Sequence, residues 1–184
     1  MKHFSVIFLL IYLNHKSKNW SKVRKHWRVM VYVSLVNTIY YVLCHRKLVW
    51  DFRDDYFSVK FIRLINVIFI APLIILLFLS RMPSKHQFNY IVRWATGSSI
   101  VEWVALKLKM LTYRYGWNLF WTWVLYIKMY LYSFLYSRKP SLVWILTVTS
   151  IYMFGTVFKI PFALRINKFL ERNLQMKRED LPHS

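Results

Sequence analysis

The chain has 184 residues, 57% of them hydrophobic and 20% aromatic, with only three Gly and five Pro. This composition excludes a largely disordered or turn-rich protein, and the length fits a single domain over residues 1–184. Lys and Arg number 27 against 7 Asp and Glu, a net charge of +20. Such a balance can mark a nucleic-acid binder, but here the cations cluster at the borders of apolar blocks. The partner this pattern predicts is a lipid bilayer with anionic headgroups, and no nucleic acid is expected. Cys44 is the only cysteine, so no intrachain disulfide can form.

The first apolar run, Phe4 to Leu13, follows a basic tip and has no small-residue cleavage site after it. It is short for a bilayer span, and reads as an uncleaved short first span or an interfacial anchor. Residues 15–28 are basic and carry Trp20, Val23 and Trp27 at helical spacing. They read either as a helix lying on the headgroups or as a solvated loop anchored by two tryptophans. The next block, 29–44, is a span with Asn37 and Thr38 near its middle, where interhelical hydrogen bonds are expected. The loop over 45–63 holds Asp51, Asp54 and Asp55 around Arg53. It has neither the ligand spacing nor the glycine of a calcium loop, and reads as solvated and locally paired.

Residues 64–80 form the most uniformly apolar span. Pro72 near its centre should kink it and free a carbonyl for a neighbouring hydroxyl. The following span, 88–106, contains the small cluster Ala95, Thr96, Gly97, Ser98, Ser99 and then Glu102. Small residues there are expected to let a neighbouring helix approach closely. A basic turn ends at Gly116, and spans over 117–136 and 142–158 follow. The tail, 159–184, puts Phe162, Ile166, Phe169, Leu170 and Leu174 on one helical face, as an interfacial amphipathic helix would. The reading is thus an all-α polytopic membrane bundle of five or six transmembrane helices. Lys and Arg counted over alternate segments lean slightly towards a cytoplasmic tail, the dense basic cluster over 16–28 argues the other way, and the orientation stays open.

None of the HExxH, GxSxG, Walker, CxxC or GxGxxG patterns is present, and the six His are scattered. No catalytic residue, cofactor or metal is therefore assigned, and an enzyme is not expected. What calls for an explanation is Glu102 and Lys128, each inside an apolar segment. Charges there usually face the bundle interior and find a partner. A Lys128 side chain reaching back towards the turn could meet Glu102, and Asn118 could bond the same carboxylate. Such a pair would fix helix packing. The functional alternative makes Glu102 a protonatable group in a small transporter or channel, or a ligand counter-ion. A membrane-embedded enzyme would need a second convergent catalytic group.

The strings VEW (101–103), YGWN (115–118) and SRKP (137–140) follow in an order and spacing that resembles a small multispanning membrane protein family of bacilli and clostridia. Trp20 and Trp27 in a basic stretch, NTIYYVLC (37–44) and LFLS (77–80) add to the likeness, which covers roughly residues 15–158. The resemblance implies a multi-pass protein of a bacterial plasma membrane and assigns no activity. It singles out Glu102, Trp103, Gly116, Trp117 and Asn118 for attention. The absence of catalytic constellations and the thinness of the loops between spans lead to the expectation of a non-enzymatic structural or accessory membrane component.

Overall fold

A computed structural model describes residues 2–54, 56–164, 166 and 167. Asp55, and with it part of the Asp cluster, lies outside the described residues, as do Phe169, Leu170 and Leu174 of the expected tail helix. The chain is mostly helical, in agreement with an all-α reading. Its helices are α1 (Lys2–Lys16), α2 (Val23–Leu43), α3 (Val59–Ser80), α4 (Gln87–Lys107), α5 (Leu119–Tyr136) and α6 (Pro140–Val157).

Contacts between loops show that the helices run alternately up and down. At one end, His3 Nε2 lies 3.2 Å from the Arg53 carbonyl oxygen in the α2–α3 loop. Lys47 of that loop donates to the carbonyls of Phe158 and Lys159, just after α6, at 2.8 and 3.2 Å. The α2–α3 and α4–α5 loops are joined there by a two-stranded antiparallel ladder of β1 (Trp50–Phe52) and β2 (Leu111–Tyr113). At the opposite end, Lys22 donates to the Ser80 carbonyl at 2.7 Å, and the Arg81 guanidinium donates to Ser17 Oγ. Tyr136, the last residue of α5, stacks on Tyr32 of α2 there, with ring centroids 4.5 Å apart. The Phe4–Leu13 run is thus part of a helix that follows the bundle from one end to the other. At 1.5 Å per residue the 15 residues of α1 reach about 22 Å.

The ladder is a departure from the all-helical expectation. Trp, Phe, Thr and Tyr favour extended backbone, but three residues show no periodicity, and the pairing joins segments about sixty positions apart. Residues 15–28 also differ from the separate surface helix considered above. Lys18 takes a left-handed turn (φ 52°), a 3₁₀ turn covers Asn19–Lys22, and Val23 to Arg28 are the first turns of α2. The buried Asn14 and Asn19 hold this corner: Asn19 donates to Asn14, which donates to the Leu73 carbonyl of α3.

Helix α3 is the centre of the bundle. Its second half buries Ala71 to Leu79 almost without a break, against α2, α4 and α5. A π turn over Asn66–Ile70 precedes Pro72. There the Ser34 hydroxyl of α2 donates to the Val67 carbonyl at 2.7 Å, the neighbouring hydroxyl that an interrupted helix requires. Asn37 and Thr38 do not bridge helices as expected. Each donates to a carbonyl four residues back, Val33 and Ser34, which satisfies the group within its own helix. Asp51 is held by Arg63, not by the adjacent Arg53, through two contacts of 2.9 and 2.6 Å.

Among the described residues two helices, Val59–Ser80 and Pro140–Val157, are long and apolar enough to cross a membrane. This is fewer than the five or six spans expected. The others fall short for reasons visible in their composition: α1 is short, α2 and α4 carry cations or polar residues, and α5 is built from Trp and Tyr around Lys128. The expected tail helix begins beyond α6, but Phe162 and Ala163 pack back against Gly155.

Candidate functional site

Helix α4 buries Ile91, Ala95, Ser99 and Glu102, a stripe that recurs every three or four residues. Glu102 is therefore interior because it shares the core face of its helix, while Val101 and Trp103 beside it are exposed. Helix α5 presents a matching stripe, Thr122, Tyr126 and Tyr130, at intervals of four. Along the seam Ser98 meets the Tyr130 hydroxyl at 2.6 Å, and the Trp123 indole donates to Thr96 at 3.1 Å.

The carboxylate of Glu102, 6% exposed, is surrounded by neutral donors. Oε1 accepts from Trp50 Nε1 at 2.8 Å, from the Tyr113 hydroxyl at 2.7 Å and from Thr122 Oγ1 at 3.0 Å. Oε2 accepts from the Tyr126 hydroxyl at 2.8 Å. Trp117 stands behind this group, its indole N–H donating to Thr122 Oγ1 at 2.9 Å. These donors come from β1, β2, the turn before α5 and α5 itself, so one side chain ties both loops to the helix seam. Burial, reinforced by the Glu102 carboxylate, holds the Tyr113 phenol above its ordinary range and keeps it a donor. Hydrogen bonds to a charged acceptor contribute about 1.5–3 kcal/mol each, and an unfilled buried carboxylate would cost more than any one of them.

Lys128 does not meet this carboxylate. It lies two residues beyond Tyr126, and about 100° of rotation per residue turns it to the far side of α5. Its ammonium lies over the Phe154 ring of α6, 4.7 Å from the centroid. Among the described residues the ion pairs are Arg63–Asp51 and His3–Asp54, and neither includes Glu102 or Lys128. Asn118 is also engaged elsewhere: its side chain caps α5 by accepting from the Trp121 backbone N–H at 3.2 Å. Of the other singled-out positions, Gly116 takes φ 82° in the turn that leads to this cap. Trp103 faces outward with the Lys107 ammonium 5.7 Å from its ring centroid. Trp117 alone among them reaches Glu102, through Thr122.

Trp50, Tyr113, Thr122 and Tyr126 were not anticipated. The four-residue spacing of Thr122, Tyr126 and Tyr130 was a legible signal, since it places three hydroxyls on one helix face. Trp50 and Tyr113 reach Glu102 only because the ladder forms.

A partly open cavity of about 330 Å³ lies within the bundle, lined by residues of all six helices and of the ladder, Glu102 and Lys128 among them. Its walls are mostly apolar, among them Val33, Val36, Leu125, Met129, Ile151 and Phe154. No protein-family profile matches the chain, and neither a curated protein nor a solved structure does.

Proposed function

We propose that the chain is a multi-pass integral protein of a bacterial plasma membrane, a bundle of six helices that acts as a non-enzymatic structural or accessory component. The observation that carries this reading is α6. It is apolar along its length, yet only 17% of it is buried, with Leu142, Ile145, Val148 and Val157 turned outward. The core helix of a soluble protein would bury such residues, and a lipid-facing helix exposes them. Phe8 and Leu9 of α1, Val31 and Leu35 of α2, Ile100 and Val101 of α4 and Phe120 of α5 extend the apolar surface around the bundle. Cations gather at both ends, where headgroups would lie. The resemblance to a membrane protein family of bacilli and clostridia supports the same location.

Glu102 in this reading is a clasp. Four donors hold it in one place, whereas a carboxylate that carries protons or ions must exchange its partners. A transporter working through Glu102 is the alternative that this geometry disfavours.

The reading is tested by topology. Cys44 is replaced by Ala, and single cysteines are placed at Ser84, Arg138, Lys47 and Tyr115. Intact cells are then labelled with a membrane-impermeant maleimide. Ser84 and Arg138 should behave alike, and Lys47 and Tyr115 should behave alike and oppositely. Equal labelling of all four positions, or recovery of the chain in the soluble fraction, would refute the membrane bundle. Proton flux in proteoliposomes that disappears in Glu102→Gln would replace the accessory reading with transport.

A further inference from the structure

We infer that the cavity within the bundle is a binding site for a single-chain amphiphile with an anionic head, which the Lys128 ammonium holds. This goes beyond the accessory role proposed above and stands on separate observations. The first is the state of the polar groups in the cavity wall. Ser150 and Thr147 donate to the carbonyls of Leu146 and Val143, four residues back on α6. The Tyr132 and Tyr32 hydroxyls lie 2.9 and 2.6 Å from Ser150 and Thr147, so each can spend its proton on one of them. These hydroxyls are paired within the protein.

Lys128 is the exception. It is half-buried, it lines the cavity, and no carboxylate among the described residues lies within ion-pair distance. The Phe154 ring satisfies one side of the ammonium. Its other donors have no protein acceptor among the described residues. Glu102 lines the same cavity, but its two oxygens already accept from four donors of the protein, so Lys128 is the charge left to meet a ligand. A mostly apolar wall with such a cation selects a ligand that is apolar with one negative charge, because convergent polar groups set orientation while apolar walls supply affinity.

Size restricts the ligand further. The volume of about 330 Å³ lies at the small end of the roughly 300–1,000 Å³ typical of ligand pockets. A pocket at that end of the range suits one acyl chain better than a two-chain lipid. A carboxylate or a phosphate monoester would serve equally as the head, since either accepts several hydrogen bonds from an ammonium.

The test uses the full chain in phosphatidylcholine nanodiscs with a diazirine-bearing twelve-carbon fatty acid as the probe. Adducts are mapped by mass spectrometry and competed with dodecanoate, dodecyl phosphate and dodecanol. Adducts are expected on the cavity-lining Met129 and Ile151. Either anion should displace the probe at least about tenfold better than dodecanol, the size of a charge-assisted contact; the order of the two anions identifies the head. Lys128→Met should reduce labelling about tenfold, and Lys128→Arg should retain it. Ile151→Trp, which fills the space and leaves Lys128 in place, should also abolish labelling, so the result does not depend on one variant folding. Competition by dodecanol equal to that of the anions, undiminished labelling in Lys128→Met, or adducts confined to outward positions such as Ile145 and Val148 would each overturn the inference.

Discussion

Trp50 and Tyr113 face each other across the two-stranded ladder, and both side chains end on the same oxygen of Glu102, at 2.8 and 2.7 Å. The ladder and the carboxylate therefore support each other. A cross-strand pair in so short a sheet contributes little alone, but here it presents two donors at the spacing that one acceptor needs. Replacing Glu102 should consequently cost more than any donor lost singly. Glu102→Leu orphans several buried donors at roughly 1–3 kcal/mol each, so a loss of about 3 kcal/mol or more is expected. Glu102→Gln keeps one oxygen as an acceptor and should lose about 1–2 kcal/mol. Thermal unfolding in mild detergent, followed by tryptophan fluorescence, measures both. Equal stability of the Leu and Gln variants would contradict the clasp.

Glu102 and Lys128 should be energetically independent. Glu102 points from α4 into the α4–α5 seam, where Thr122 and Tyr126 hold it, whereas Lys128 leaves the far side of α5 and its ammonium rests on Phe154. In a double-mutant cycle of Glu102→Gln and Lys128→Met, the coupling should fall within about 0.5 kcal/mol, as for sites with no shared partner. A coupling of about 1 kcal/mol or more would restore the ion pair that the sequence had suggested.

That expected ion pair illustrates how far the sequence could be read. Apolar blocks bounded by cations marked the later helices closely, because apolar periodicity and charged ends are local signals. Burial of Glu102 also followed from its neighbours: Ile91, Ala95 and Ser99 precede it at helical intervals. The choice of partner was not local. Whether α5 turns Lys128 or Thr122 and Tyr126 towards α4 depends on the rotation of one helix against another. Trp50 and Tyr113 become neighbours only through a pairing across about sixty residues. The stretch 15–28 failed as a unit because one left-handed residue, Lys18, divides it, and no sequence rule assigns that conformation to a lysine.

His26 should make stability depend on pH. It is buried in the first turns of α2, ahead of the apolar stretch that begins at Val29, and its Nδ1 has no hydrogen-bond partner among the described residues. Burial, and then the positive charges of Lys25 and Lys22, push its imidazole below the ordinary 6.5. The folded state thus binds this proton less readily than the unfolded state does. Stability present above pH 6.5 should be lost as pH falls from there through the depressed folded value. Unfolding followed between pH 8 and 5 should show the decline, and His26→Gln should flatten it. An unchanged slope in the variant would assign the effect to another group.

Two glycines in helices should respond oppositely to alanine. A Cβ added at Gly155 would lie 2.6 Å from Phe162 Cζ and 2.8 Å from Ala163 Cβ. The Phe162 ring can swing aside, but the Ala163 Cβ is fixed to the backbone, so the segment after α6 must shift. Overpacking of this kind costs about 1–3 kcal/mol. A Cβ added at Gly97, inside α4, would meet nothing within 4 Å. Gly97 is exposed and does not mediate the close helix approach its neighbours suggested; Ala95, Ser98 and Ser99 face the seam instead. Gly97→Ala should therefore stabilise the helix by about 0.5–1 kcal/mol. Thermal unfolding of the two variants in the same detergent decides the matter. A shift of the same sign in both would mean that Phe162 and Ala163 do not pack on α6 as described.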